Sequence, residues 1–222
     1  HVDDLLAAHD QSKFVKDILE KLQRDLHLKR QTDEIKYCGR IVRVLKDRII
    51  ISQTAAAKAV DATFEIRKGQ PGDLLNDIEK SKFRSVVGQL LWLSQQTRPD
   101  LAFAVSKAAQ RSHCATIGDL QQLQKLAKHA HDTADKCLVL RRGAVDPWSC
   151  TVVGFGDAAW ANVADGKSQH GTVTMLTNSP ETIWRGEYHK AALISWGSGT
   201  IKRVVRSTLG AEGYAMTESL EN

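Results

Sequence analysis

From residue 12 onward the apolar positions Phe14, Val15, Ile18, Leu19, Leu22 and Leu26 fall three and four apart, which keeps one face of a helix apolar, and Ser12 stands where an N-cap belongs. This predicts a helix over 12–28. Between 36 and 52 the period shortens. Ile41, Val42 and Val44 lead into Lys46-Asp47, and Ile49, Ile50 and Ile51 lead out, a β-branched pattern that fits a hairpin. Thr54 is placed to cap a short Ala-rich helix, and Gly69-Gln70-Pro71-Gly72 then interrupts the chain before a polar linker.

Helical spacing returns at Ser81, carried by Phe83, Val86, Val87, Leu90, Leu91 and Leu93, and stops at Thr97-Arg98-Pro99-Asp100. Asp100 can cap the next helix, and Arg98 and Asp100 are expected to form a local ion pair rather than to do chemistry. A third helix is predicted over 117–132, with Leu120, Leu123, Leu126, Ala127 and Ala130 on one side and Lys125 and Lys128 near the other. After Asp146-Pro147 the texture becomes β. Strands are predicted at 150–157, 171–177 and 191–197, then a helix over 208–221. Strands and helices in separate blocks make the class α+β, divided at 1–72, 73–142 and 143–222.

Composition narrows the class further. At 222 residues, 42% apolar and with four prolines, the chain can bury one large or two small cores and is not a disordered tail. The four cysteines form no C-x-x-C pair and follow no secretory signal, which fits a reduced intracellular setting. The longest uncharged run, Ser85 to Thr97, falls short of the roughly 20 residues of a membrane span. A first residue of His1 rather than Met suggests a piece of something longer. Charge is uneven: residues 81–142 carry ten basic against four acidic groups, while 143–222 carry six against eight. A basic stretch beside an acidic one suits a surface for a polyanion next to a site that gathers cations.

Two acids stand out. Asp157 ends an apolar strand within Gly154-Phe155-Gly156-Asp157-Ala158-Ala159-Trp160-Ala161, and Glu212 lies in what the pattern makes the first turn of the last helix. Each has an ordinary explanation, as a turn cap and as an acid favoured by a helix dipole. Together they suggest more. A helix packed back on a three-stranded sheet can bring Glu212 beside Asp157 in the middle of that sheet, and adjacent carboxylates call for bridging cations. Paired Mg²⁺ ions about 4 Å apart hydrolyse phosphodiesters.

In this order the residues resemble the ribonuclease H domain of copia-type retrotransposons. The matching positions are Gly154-Phe155-Gly156-Asp157, Trp160-Ala161, Lys167-Ser168-Gln169-His170-Gly171, Ile194-Ser195-Trp196 and Ala211-Glu212. Upstream, Phe83 to Leu93 and Arg98-Pro99-Asp100 resemble the helical region after the palm of the same Pol polyprotein. His1-Val2-Asp3-Asp4 resembles the Tyr-x-Asp-Asp hairpin of reverse transcriptase with His in place of Tyr, followed by a helix, a Tyr37-Cys38-Gly39 strand and Ile49-Ile50-Ile51-Ser52-Gln53. Ala159 replaces an acid common in the family. Gly210 and Gly213 replace better helix formers, at roughly 1 kcal/mol each.

The resemblance implies the end of a reverse transcriptase palm, a helical thumb or connection, and a truncated ribonuclease H-like mixed sheet with a helix. It makes Asp157 and Glu212 metal-binding carboxylates for RNA cleavage, and Asp3 and Asp4 metal-binding carboxylates for nucleotide addition. The implied cofactor is Mg²⁺, with Mn²⁺ as a substitute. The implied partners are RNA:DNA hybrid, template-primer and the rest of the Pol polyprotein, in a cytoplasmic particle or the nucleus. The family's remaining ribonuclease H carboxylates are expected beyond Asn222, so both active sites would be partial. The contrasting expectation is an inactive remnant or a nucleic-acid-binding module that uses the basic middle segment. His113, Cys114, His129, His131 and Cys137 lack the paired spacing of a zinc site, and Lys202, Arg203 and Arg206 suit a phosphate backbone or a solvated edge equally.

Overall fold

Ser12 begins the first helix as its position predicts: its hydroxyl accepts from the Val15 N–H at 3.4 Å and opens α1, Lys13–Asp25. The computed structural model describes residues 6–7, 12–161 and 167–221, and its class is α+β. Among the described residues α1 buries none of its own side chains, and Phe14, Ile18, Leu22 and Leu26 are exposed along it.

The hairpin proves to be part of a four-stranded antiparallel sheet, β1 (Glu34–Tyr37), β2 (Arg40–Val44), β3 (Arg48–Ser52) and β4 (Leu138–Arg141), in that order. Tyr37-Cys38-Gly39 is not a strand throughout. Tyr37 ends β1, and Cys38 and Gly39 turn with φ of +46° and +72°, the left-handed pair that a two-residue hairpin turn requires. β4 arrives from beyond the helices and pairs with β3, so the helical segment is an excursion from this sheet.

That excursion holds the main core. α2 (Thr54–Lys58) starts at Thr54, with Gln53 rather than Thr54 in the cap position; the Gln53 side chain instead accepts from the Thr97 hydroxyl at 2.9 Å. α3 (Asp77–Gln96) begins four residues before the predicted start, because Asn76 and Glu79 form a reciprocal capping box. A 3₁₀ turn (Pro99–Leu101) leads into α4 (Ala102–Gln110), and α5 (Ile117–Asp132) has its own box from Thr116 and Asp119. Phe83, Val86, Leu90, Val105, Ile117 and Ala127 are fully enclosed where these helices meet. Among the described residues no helix is long and apolar enough to cross a membrane.

Arg98 lies within this unit, only 2% exposed, forked onto Asp100 through Nε and Nη2, both at 2.9 Å. The expected ion pair is there. The hydrogen bonds from Arg98 outweigh the burial of Asp100 and hold its carboxyl well below the ordinary 3.8, at about 2. A depressed carboxyl contributes stability that is complete above the unfolded value and disappears as pH falls through the folded one. Between pH 5 and pH 2 the chain is expected to lose roughly 1 kcal/mol from this group, discounted for its partial solvation. Urea melts at the two pH values should show that difference shrinking in Asp100→Asn; an unchanged difference would contradict it.

The last unit is a three-stranded sheet, β5 (Thr151–Ala159), β6 (Gln169–Thr177) and β7 (Ala192–Thr200), with α6 (Pro180–Trp184) between the last two and α7 (Thr208–Glu221) packed across β5 and β6. Where a mixed sheet was expected, every described pairing is antiparallel. β6 starts two residues before its predicted bound, at Gln169, and β7 ends three residues after its own, at Thr200, because both outrun their apolar cores into polar residues, while β5 runs on past Asp157 to Ala159. Trp196 Nε1 donates to the Ser94 carbonyl at 2.7 Å and ties this sheet to α3.

Candidate functional site

The carboxylates are positioned by the contact between β5 and α7. α7 turns Ala211, Ala215 and Ser219 toward the sheet, small residues four apart, and β5 meets them with Gly154 and Gly156. A Cβ on Gly154 would lie 2.7 Å from Ser219 Oγ, and one on Gly156 would overlap the Ala215 carbonyl group and lie 2.5 Å from Met216 N. Backbone therefore packs on backbone. Ala158, Ile201, Ala211 and Ala215 enclose the other end of the contact.

Side chains alternate along a regular strand, so glycines at 154 and 156 facing α7 direct Asp157 to the other face. There it is exposed, opposite Gly171 of β6, whose own neighbour on β7 is Ser198. β5 is an edge of the described sheet, so Asp157 is not in its middle. Glu212 is the fifth residue of α7, beyond rather than within the first turn, and is exposed one position after buried Ala211. α7 runs against β5 with Ser219 at Gly154 and Ala215 at Gly156, which brings Glu212 level with Asp157. The two acids share a level but lie on opposite sides of the strand.

Among the described residues no three His, Cys, Asp or Glu side chains group as a metal site, and His113, Cys114, His129, His131 and Cys137 make none. Asp3 and Asp4 lie outside the described residues.

The other motif residues brace this arrangement. Ser168 Oγ accepts from the N–H of Ala161, which has φ of +51°, and the Ser168 carbonyl accepts from Ile201 N–H at 2.8 Å. Trp160 Nε1 donates to the Val205 carbonyl at 3.1 Å, tying the end of β5 to the segment before α7. His170, opposite Ala158 and edge-on to Tyr214, is pushed below the ordinary histidine range by burial. Ser207 went unread in the sequence, and Gln169 was read only as a motif position. Ser207 caps α7, its hydroxyl accepting from Gly210 N–H at 3.1 Å, which offsets the weak helix propensity there. Buried Gln169 joins the sheet to α4, donating to Ser106 and Ser198 and accepting from Gln110 at 2.8 Å. The signal for Ser207 was a serine three residues before a helical glycine; a lone glutamine gives none.

No protein-family model matches the chain, and no solved structure matches it. Among curated proteins, the retrovirus-related Pol polyprotein from transposon RE2 of Arabidopsis thaliana is 25% identical over 228 aligned positions, taking in 96% of this chain and 14% of that polyprotein. The retrovirus-related Pol polyprotein from transposon RE1 of the same plant is 30% identical over 135 positions, 60% of this chain and 8% of the polyprotein. An uncharacterized mitochondrial protein of Arabidopsis thaliana, AtMg00810, is 28% identical over 142 positions, 56% of this chain and 57% of its own length. The chain thus spans a small part of the two polyproteins and just over half of the third protein.

Proposed function

Since this chain is a fragment of a copia-type retrotransposon Pol polyprotein, aligned over 96% of its length with one such polyprotein and over 60% with another, we propose that it is the part that links a reverse transcriptase palm to a ribonuclease H domain. The parent would make DNA on an RNA template and hydrolyse the RNA of the resulting hybrid. The observation that carries this reading is the placement of Asp157: a solvent-facing carboxylate on an otherwise apolar strand, beside the bare backbone of Gly171 and level with Glu212.

The donors are hard carboxylate oxygens, the type that Mg²⁺ or Mn²⁺ prefers. In number they are a partial set, and the reading requires further donors from elsewhere in the polyprotein. Bound metal would activate a water and stabilise the leaving oxygen of a phosphodiester. Asp157 would hold the metal on the open face, with Gly171 leaving room for a sugar-phosphate chain. Glu212 would reach it around the free edge of β5. Asp3 and Asp4 would hold the polymerase metals. Template-primer and RNA:DNA hybrid would be the nucleic-acid partners, inside a cytoplasmic particle or the nucleus.

With Mg²⁺ and a labelled RNA:DNA hybrid, the chain extended to the polyprotein's carboxyl end is expected to release labelled RNA fragments, and Asp157→Asn to slow release about a hundredfold. A completed polyprotein that cleaves as fast with Asp157→Asn as without it would remove Asp157 from the site. A second reading, a binding module without cleavage, draws support from the two acids lying on opposite faces of β5. It predicts salt-dependent binding of the hybrid with no Mg²⁺-dependent release.

A further inference from the structure

A cleft of about 1310 Å³ opens between the helical unit and the last sheet. Lys107 of α4 and its C-cap Arg111, Lys125 of α5, Lys167 before β6 and Lys202 after β7 converge on it from four separate segments. The residues of α4 and its C-cap on this wall, Ala104, Lys107, Ala108 and Arg111, are spaced three and four apart and so form one helix face. One carboxylate lines the cleft, Asp119, and it is already engaged by Arg111 at 3.3 Å and by the cap of α5. Among the described residues none of the four lysines has an ion-pair partner. Cations gathered without counter-charges repel one another, and a polyanion threaded among them relieves that repulsion while releasing its own counterions.

The cleft also shows what kind of contact it makes. Phe83 is fully buried in the core, which leaves the imidazole of His113 as the one exposed ring on the lining, against five cationic side chains. Binding would run through phosphates and be indifferent to sequence. The cleft leads somewhere as well. Thr200 lines it, and the cross-strand row Thr200, Gln169 and Ala159 is next but one along the strands to Ser198, Gly171 and Asp157, on the same face and roughly 7 Å away.

We propose that this cleft is a track for the phosphate backbone of a single nucleic-acid strand, held between α4, α5 and the sheet and delivered across the face that carries Asp157. The proposal rests on the nucleic-acid reading above and adds the path. It makes the junction of the two units, fixed by Gln169, Gln110 and Trp196, part of the binding surface.

Fluorescence anisotropy of labelled oligo(dT) tests it on the full 222-residue chain. The triple change Lys107→Gln, Lys125→Gln and Lys167→Gln is expected to weaken binding at least tenfold and to flatten the salt dependence by about 0.7 in log–log slope per lost contact. Lys13→Gln, Lys16→Gln and Lys21→Gln together, the same loss of three charges on α1, should leave both unchanged. In the unsubstituted chain, oligo(dT) should protect Lys107, Lys125, Lys167 and Lys202 from acetylation, read by mass spectrometry, which needs no variant to fold. Failure of the chain to bind oligo(dT), equal loss in the α1 control, or unprotected cleft lysines would overturn the track. A chain that binds through these lysines yet never cleaves upholds the track and removes only the ribonuclease reading.

Discussion

Arg98→Ala is expected to destabilise the chain by about 3 kcal/mol, the low end of the range for breaking a buried ion pair, because Arg98 is enclosed while Asp100 is partly solvated and keeps Lys136 as a second partner. The guanidinium does three things at once. It neutralises Asp100 with two bonds of 2.9 Å, donates from Nη1 to the Thr133 carbonyl at 3.1 Å, and donates from Nη2 to the Thr133 hydroxyl at 2.8 Å. Thr133 is the C-cap of α5, so Arg98 satisfies carbonyls at a helix end whose dipole also favours a cation. Alanine leaves an acid, a hydroxyl and helix-end carbonyls short of a donor and a void the size of the guanidinium. Arg98→Lys should recover little, because a point charge cannot make the planar fork. Chemical denaturation of the three proteins decides this. A loss below 1 kcal/mol for alanine would mean that water replaces the fork.

Gly156→Val is expected to cost about 3 kcal/mol, at the upper end of overpacking, because the obstacle is the α7 backbone and not a side chain that can turn away. The helix must lift or its first half must unravel, and with it Glu212. Gly154→Ala should be milder, since its nearest atom is Ser219 Oγ at 2.7 Å, which can rotate. Gly171→Ala, where nothing lies within 4 Å, should leave the melting temperature almost unchanged. Thermal melts together with proteolysis of the carboxyl-terminal helix order the three. Equal effects at 154, 156 and 171 would show that general strand propensity, and not the packing of α7, governs them.

What could be read in advance followed the strength of local signals. α5 was legible at both ends, since apolar residues at helical spacing lie between Thr116 and Thr133. α3 was placed late because Asn76 and Glu79 look like linker residues until they are seen to bond each other. β4 was missed, and β1 was met only at its end, Tyr37. Four residues are too few to establish a period, and β4 depends on a partner far upstream. For the acids, the expectation was Glu212 beside Asp157 in the middle of the sheet, whereas β5 is at its edge and Asp157 lies on the face away from α7. That face was written in the sequence, since glycines at 154 and 156 make room for a helix on even positions, and Asp157 is odd. The basic cleft was legible only as an excess of charge in residues 81–142, because Lys167 and Lys202 join it from across the fold.

In the seam between β5 and α7 the two spacings differ. Ala211, Ala215 and Ser219 recur every four residues, while the glycines that receive them are two apart on the strand. A slip of α7 by a single residue would push Glu212, Tyr214 or Met216 into the glycine trough, so intermediate positions are blocked. The seam acts as a detent: the helix rests at one setting, and leaving it means jumping a whole turn or lifting clear. Whatever a partner does to the carboxyl-terminal end of this chain, it can shift Glu212 relative to Asp157 only as a click, never as a drift.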